Sequence, residues 1–262
     1  FEWRNRDRVV NALYGSYYGT SLVVLANMDG AGAVGIPLIT GGLWLLGPAM
    51  NPKKYEGISR NTVRANNTGK LLGLGYGAAL GLAFGGQSNE IEKWALGFSS
   101  VGSIAMGEAA FQIQKKRNTP RGQIEIMRHY GILTPLVGAS TLAAGNVDNA
   151  NLYGLALLGG GVTGLIIGSK VSKKYDYSQG DVDAISSLTI ISAGLGFMLV
   201  GEALNNDEPG AFFLIPATTS ILCTVLSQWA VKGVHLTDKQ GSTLQLSTAG
   251  ACLIGFGIVA IA

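Results

Sequence analysis

The feature that bounds this chain most tightly is a period. Ser59, Thr119, Ser178 and Thr237 stand 60, 59 and 59 residues apart, and each opens a similar stretch. The stretches read "SRNTVRANNTGKLLGLGYG", "TPRGQIEIMRHYGILTPLVG", "SQGDVDAISSLTIISAGLG" and "TDKQGSTLQLSTAGACLIG". Gly77, Gly196 and Gly255 each lie eighteen residues beyond their opening Ser or Thr, with Gly138 one residue later after Thr119. At the N-terminus, Gly15 and Gly19 fall over Gly73 and Gly77. Midway between these starts, Asp29, Asn89, Asn149 and Asp207 open a second kind of unit. The chain therefore reads over 1–262 as one repeat-built domain, with repeats starting near 1, 59, 119, 178 and 237. Each of the first four repeats holds two units of about thirty residues, an A unit (Ser/Thr start) and a B unit (Asp/Asn start), and the last holds an A unit alone, nine units in all.

Ser, Thr, Asp and Asn cap helix N-termini, because a side-chain oxygen accepts an orphan backbone N–H. Ser178 with Asp181 resembles a capping box, and Pro120 suits a first helical position after Thr119. A cap every thirty residues predicts nine helices with short connections. The B runs Ala31–Met50, Trp94–Ile113 and Ala150–Ser169 hold a single charge among them, Glu108. Each is as long as the roughly 20 apolar residues that cross a hydrocarbon core.

Charge placement points the same way. Of the 19 Lys and Arg residues, 18 cluster where A units start and B units end, and only Lys93 lies at the opposite turns. A soluble helical array has no reason to sort its cations; a multi-pass membrane protein keeps them in cytoplasmic loops. Composition agrees. Charged residues make up 13% and glycines number 39, against about 25% charge and about 7% glycine in an ordinary soluble domain. The expected fold is an all-α, polytopic transmembrane bundle of about nine glycine-rich helices in a bacterial inner membrane. A transmembrane β-barrel of the outer membrane is the alternative, since "IPLITGGLWLL" can be read as a hairpin. Phe1 falls on the register of a unit start and is read as a product of excision; a cleaved signal peptide would instead turn the basic side toward the periplasm.

The glycines raise a chemical question. "GLAFGGQS" has the spacing of a phosphate-binding loop but carries Gln87 where the lysine belongs, and "GLGYGA" lacks the preceding strand of a dinucleotide fingerprint. Spacing of four at Gly15 and Gly19, Gly73 and Gly77, and Gly160 and Gly164 instead lines one helix face, so that a neighbouring backbone can approach. These six are expected to be packing residues. Pro37, Pro135 and Pro216 fall inside helices and are expected to kink them.

Candidate function rests on the A units, which stay polar for about three turns. Either those turns project from the membrane, or they line a vestibule on the basic side. In the second case Arg64, Lys70, Arg128, His129, Asp181 and Asp183 would face a charged solute. Glu108 and Glu202 are candidate intramembrane acids, with Lys115 and Arg117 expected to neutralise Glu108. Cys223 and Cys252 lie in apolar runs and form neither a disulfide framework nor a metal motif. No HExxH or GxSxG stretch occurs, so no catalytic residue, metal or cofactor is expected. The expected partners are the bilayer, its anionic headgroups on the basic side, and a membrane protein or a second copy of the chain. Nucleic acid is not expected, because the basic turns are short and lack interleaved aromatics. Two functions stay open, a non-catalytic scaffold or accessory subunit and a small-solute transporter or channel.

Overall fold

A computed structural model describes the backbone of residues 5–204 and 209–261. Among these residues every regular element is a helix, which overturns the β-barrel alternative. "IPLITGGLWLL" lies within one uninterrupted helix rather than a hairpin. The helices are α1 (Asn5–Leu25), α2 (Gly30–Met50), the single turn α3 (Pro52–Tyr55), α4 (Arg60–Gly85), α5 (Ile91–Arg117), α6 (Arg121–Ala144), α7 (Ala150–Lys174), α8 (Gln179–Leu204), α9 (Pro209–Val231) and α10 (Asp238–Ile261).

Side-chain caps account for three of the starts, while Asp29 precedes α2 without a side-chain cap bond. Ser59 Oγ accepts from Thr62 N at 3.3 Å to begin α4. Ser178 and Asp181 form a reciprocal box at α8: Asp181 N donates to Ser178 Oγ at 3.1 Å, and Ser178 N donates to Asp181 Oδ2 at 2.8 Å. Thr237 and Gln240 repeat the device at α10. Two starts move by one residue from the expected caps. Glu90 rather than Asn89 precedes α5, and Pro120 rather than Thr119 precedes α6. The Thr119 carbonyl is instead an acceptor for Gln114 Nε2 at 2.8 Å. The ends of α1 and α6 are built alike. Asn27 and Asn146 adopt left-handed backbone (φ 49 and 52), and the next residues reach back five positions, Met28 N to Val23 O and Val147 N to Leu142 O. Pro37, Pro135 and Pro216 lie inside α2, α6 and α9.

The chain divides into two compact units. Unit 1 comprises α1 to α5 with Ala150–Leu155. Its helices pair antiparallel, and glycines sit at the closest approaches. A side chain at Gly73 would run into the carbonyl of Gly102, one at Gly77 into that of Phe98, and one at Gly81 into that of Trp94. Gly15 and Gly19 of α1 meet Thr40 on α2 in the same way. Unit 2 comprises α6, the rest of α7, and α8 to α10. Here Gly160 lies on Pro135, Gly164 on Tyr130, Gly168 on Met127, and Gly196 on Pro216. Ile126, Val182, Ile185 and Val231 form an apolar core in unit 2.

Burial runs against the soluble pattern. Among the described residues, 21 polar or charged side chains are buried against 16 hydrophobic ones. Leu38, Ile39 and Leu46 of α2, Leu195, Met198 and Leu199 of α8, and Leu222, Leu226 and Trp229 of α9 stand exposed. Monomeric soluble proteins rarely leave such continuous apolar faces to water. The segments Gly30–Met50, Ala150–Lys174, Gln179–Val200 and Gly210–Val231 are long and apolar enough to cross a membrane. The molecule has the character of a membrane protein.

Candidate functional site

Unit 1 holds a cavity of about 520 Å³ that runs between α1, α2, α3, α4 and α5. Its polar lining includes Asn11, Asn51, Lys54, Asn66, Lys70 and Glu108, and its apolar lining includes Trp44, Ile104 and Phe111. Lys70 is the deepest charge. It stands ten residues along α4, about 15 Å from the helix start at about 1.5 Å per residue, and its residue exposure is 8%. Lys70 Nζ donates to Asn11 Oδ1 at 2.8 Å and lies 5.1 Å from the centre of the Tyr14 ring. Room for its stem comes from Gly107, where a Cβ would meet Lys70 Cγ. The same close approach lets Asn66 Nδ2 donate to Gly107 O at 2.8 Å.

The mouth of the cavity carries an ion pair. Lys54 Nζ meets Glu108 Oε2 at 2.7 Å, with side chains 41% and 44% exposed. Gln112 Nε2 donates to Glu108 Oε1 at 2.7 Å, so both carboxylate oxygens are engaged. Lys54 also lies over the Phe111 ring, which packs edge-on against Tyr55. This corrects the expected partners of Glu108. Lys115 and Arg117 sit two turns or more further along α5, at least about 10 Å along the axis, and are exposed in its last turn. The short helix α3 brings Lys54 across instead.

The other candidate residues are placed separately. Arg64 is half-buried on α4 and is not part of the cavity lining. Arg128, His129, Asp181 and Asp183 belong to unit 2, and each is tied to neighbours there. Arg128 pairs with the fully buried Glu125 at 2.6 Å. His129 lies 3.2 Å from Ser186 Oγ and 3.3 Å from Thr224 Oγ1, and Thr224 continues to Thr189 at 2.8 Å. Asp181 accepts from Leu236 N at 2.7 Å in addition to its cap bond, which fastens the α9–α10 turn to the start of α8. Asp183 accepts from Gln179 and Gln245 at 3.2 and 3.0 Å. Within unit 2 the two aspartates thus serve different partners. Glu202 falls on α8, but its side chain lies outside the described residues, as does that of Cys252. Cys223 donates to the Leu188 carbonyl at 3.3 Å.

Sequence reasoning missed Asn11, Asn66 and Lys54 as lining residues and Glu125 as a buried acid. Asn66 stood inside a polar A-unit turn and was within reach of that argument. Lys54 and Glu125 become notable only through partners that folding supplies. Among the described residues, no group of three His, Cys, Asp or Glu side chains is arranged to hold a metal ion. The arrangement in unit 1 can bind: it offers a concave, partly apolar space with hydrogen-bond donors and a net positive charge. No family model, curated protein or solved structure matches the chain.

Proposed function

We propose that the chain is a multi-pass inner-membrane protein of the small-solute transporter or channel class, and that the unit 1 cavity is its vestibule on the basic, cytoplasmic side. The observation that carries this reading is Lys70, a charged side chain deep in a cavity near the middle of a 26-residue helix. Ionisable groups at bilayer depth face cavities or partners and mark solute paths. A volume of about 520 Å³ falls within the range of small-molecule sites, about 300–1,000 Å³.

Several features support the membrane setting. Four helices meet the length and apolarity of a span, and the exposed faces are rich in Leu, Ile and Met. Opposite the basic turns the one Lys or Arg, Lys93, is bound to Glu90 at 2.6 Å within its own turn. In this reading the nine long helices each cross the bilayer, and the buried glycines allow close helix contact. The matching ends of α1 and α6, with asparagines two periods apart at 27 and 146, favour descent from a repeated helical hairpin.

The scaffold reading keeps one specific support: in unit 2 the same polar residue types are engaged with one another. The test is accessibility. An Asn66→Cys variant in sealed inverted membrane vesicles is expected to react with a membrane-impermeant thiol reagent, while cysteine at the exposed, apolar Leu38 is not. Absence of labelling at position 66 would leave the cavity without an aqueous route and favour the scaffold.

A further inference from the structure

We infer that the unit 1 cavity binds a small organic oxyanion, a carboxylate or a phosphate, with its charged end on Lys70 and its apolar part against Ile104, Phe111 and Trp44. This rests on the vestibule reading and adds the class of solute.

The cavity carries a surplus of positive charge. Two lysines, Lys54 and Lys70, face one glutamate, Glu108, which gives a formal charge of +1. Glu108 is committed to Lys54 and Gln112, at 2.7 Å each. Among the described residues no carboxylate lies within 4.0 Å of Lys70, and Asn11 Oδ1 is its one hydrogen-bond acceptor. An ammonium carries three donors. A charge taken out of water is stable when it is paired and hydrogen-bonded. Lys70 is 8% exposed, has a neutral amide and an aromatic face for partners, and adjoins open space. The partner that completes this site is an anion.

Geometry sets the rest. The Tyr18 hydroxyl, beside the cavity, is bonded to Ser103 Oγ at 2.8 Å, and Asn66 is held by Gly107 O. The polar wall therefore has a fixed shape. The Lys54–Glu108 pair at the mouth is half-exposed, where an ion pair is held weakly. An arriving anion can take over Lys54 from Glu108, so Glu108 acts as a tethered competitor at the threshold.

The experiment uses the full chain with Trp44 as its sole tryptophan, after Trp3→Phe, Trp94→Phe and Trp229→Phe. In nanodiscs of neutral phosphatidylcholine, iodide is expected to quench Trp44 more strongly than caesium. Acetate or inorganic phosphate is expected to protect against iodide but not against neutral acrylamide. Lys70→Gln is expected to weaken that protection about tenfold, as loss of a charged hydrogen bond would. Lys70→Arg is expected to keep it, which covers the case in which the glutamine variant fails to fold. Glu108→Gln is expected to strengthen protection about threefold by releasing Lys54. Repeating the measurement with anionic phosphatidylglycerol separates the sources. Protection by that lipid in place of added phosphate assigns the oxyanion to a headgroup; protection by phosphate in either membrane assigns it to a free solute. Equal quenching by iodide and caesium with no protection by either anion or lipid would overturn the inference. If acrylamide still reaches Trp44 in that case, the vestibule stands and only the solute class fails.

Discussion

Gly77 and Gly75 separate two uses of glycine two residues apart on one helix. A Cβ built on Gly77 lies under 3.0 Å from the Phe98 carbonyl and from backbone atoms of Phe98 and Ser99, none of which can rotate away. At Gly75 nothing lies within 4 Å. Even alanine is therefore too large at 77, whereas at 75 it adds helix propensity without a clash. Gly77→Ala is expected to destabilise by about 1–3 kcal/mol, the usual cost of overpacking. Gly75→Ala is expected to be neutral or stabilising by up to about 1 kcal/mol. Thermal melts of the two variants in detergent check this, and equal melting temperatures would remove the distinction. Sequence spacing singled out the face of Gly73 and Gly77, because four-residue steps are local. The depth of the contact, and hence the intolerance of alanine, was not legible, since it depends on where the α5 carbonyls arrive. The Lys54–Glu108 pair was hidden for the same reason: its members are 54 residues apart and meet across two elements.

At the scale of elements, the start of α8 does two jobs with one side chain. Asp181 Oδ2 completes the cap with Ser178 N, and Oδ1 accepts from Leu236 N, while Ser178 Oγ donates to Leu236 O at 2.6 Å. The turn before α10 is thus pinned to the cap of α8. Gly180 permits the approach, since a side chain there would strike the Thr237 and Leu236 carbonyls. Asp181→Ala removes the cap acceptor and leaves Leu236 N without its partner. A cost of about 2 kcal/mol is expected, at the upper end for a lost cap. Asp181→Asn keeps one acceptor oxygen for two N–H donors and turns its amide NH2 toward the other, so it is expected to lose at least half of that. Hydrogen exchange at Leu236 N reads the effect locally: it should accelerate in the alanine variant, and in the asparagine one either Leu236 N or Ser178 N should accelerate while the other stays slow. The capping box was readable from four consecutive residues. The link to Leu236, 55 positions away, required the fold.

For the whole molecule, the antiparallel pairing decides which chain ends share a side. In unit 1, Gly73 meets Gly102, Gly77 meets Phe98 and Gly81 meets Trp94, so α4 and α5 run in opposite directions. The start of α4 near Arg60 and the end of α5 at Lys115–Arg117 therefore lie at one end of the pair, and Glu90 and Glu92 lie at the other. In unit 2, Gly160 on Pro135, Gly164 on Tyr130 and Gly168 on Met127 make α6 and α7 antiparallel as well. That pair joins Arg121 and Arg128 with Lys173 and Lys174, away from Asp148. In each of these helix pairs, taken by itself, the Lys and Arg residues gather at one end and, Lys93 apart, are missing from the other. A soluble protein gains nothing from that division, because mixed surface charge serves solubility better. In a membrane protein the cationic end stays cytoplasmic. Single cysteines at Lys54 and Lys116, tested against Asn89 in unit 1, and at Lys173, tested against Asn149 in unit 2, report the sidedness directly. The impermeant thiol reagent is expected to label the lysine positions in inverted vesicles and the asparagine positions in right-side-out ones. Labelling of both members of a set from the same side would exclude the helices between them as membrane crossings, and extraction of the protein by alkaline carbonate would exclude the bilayer itself.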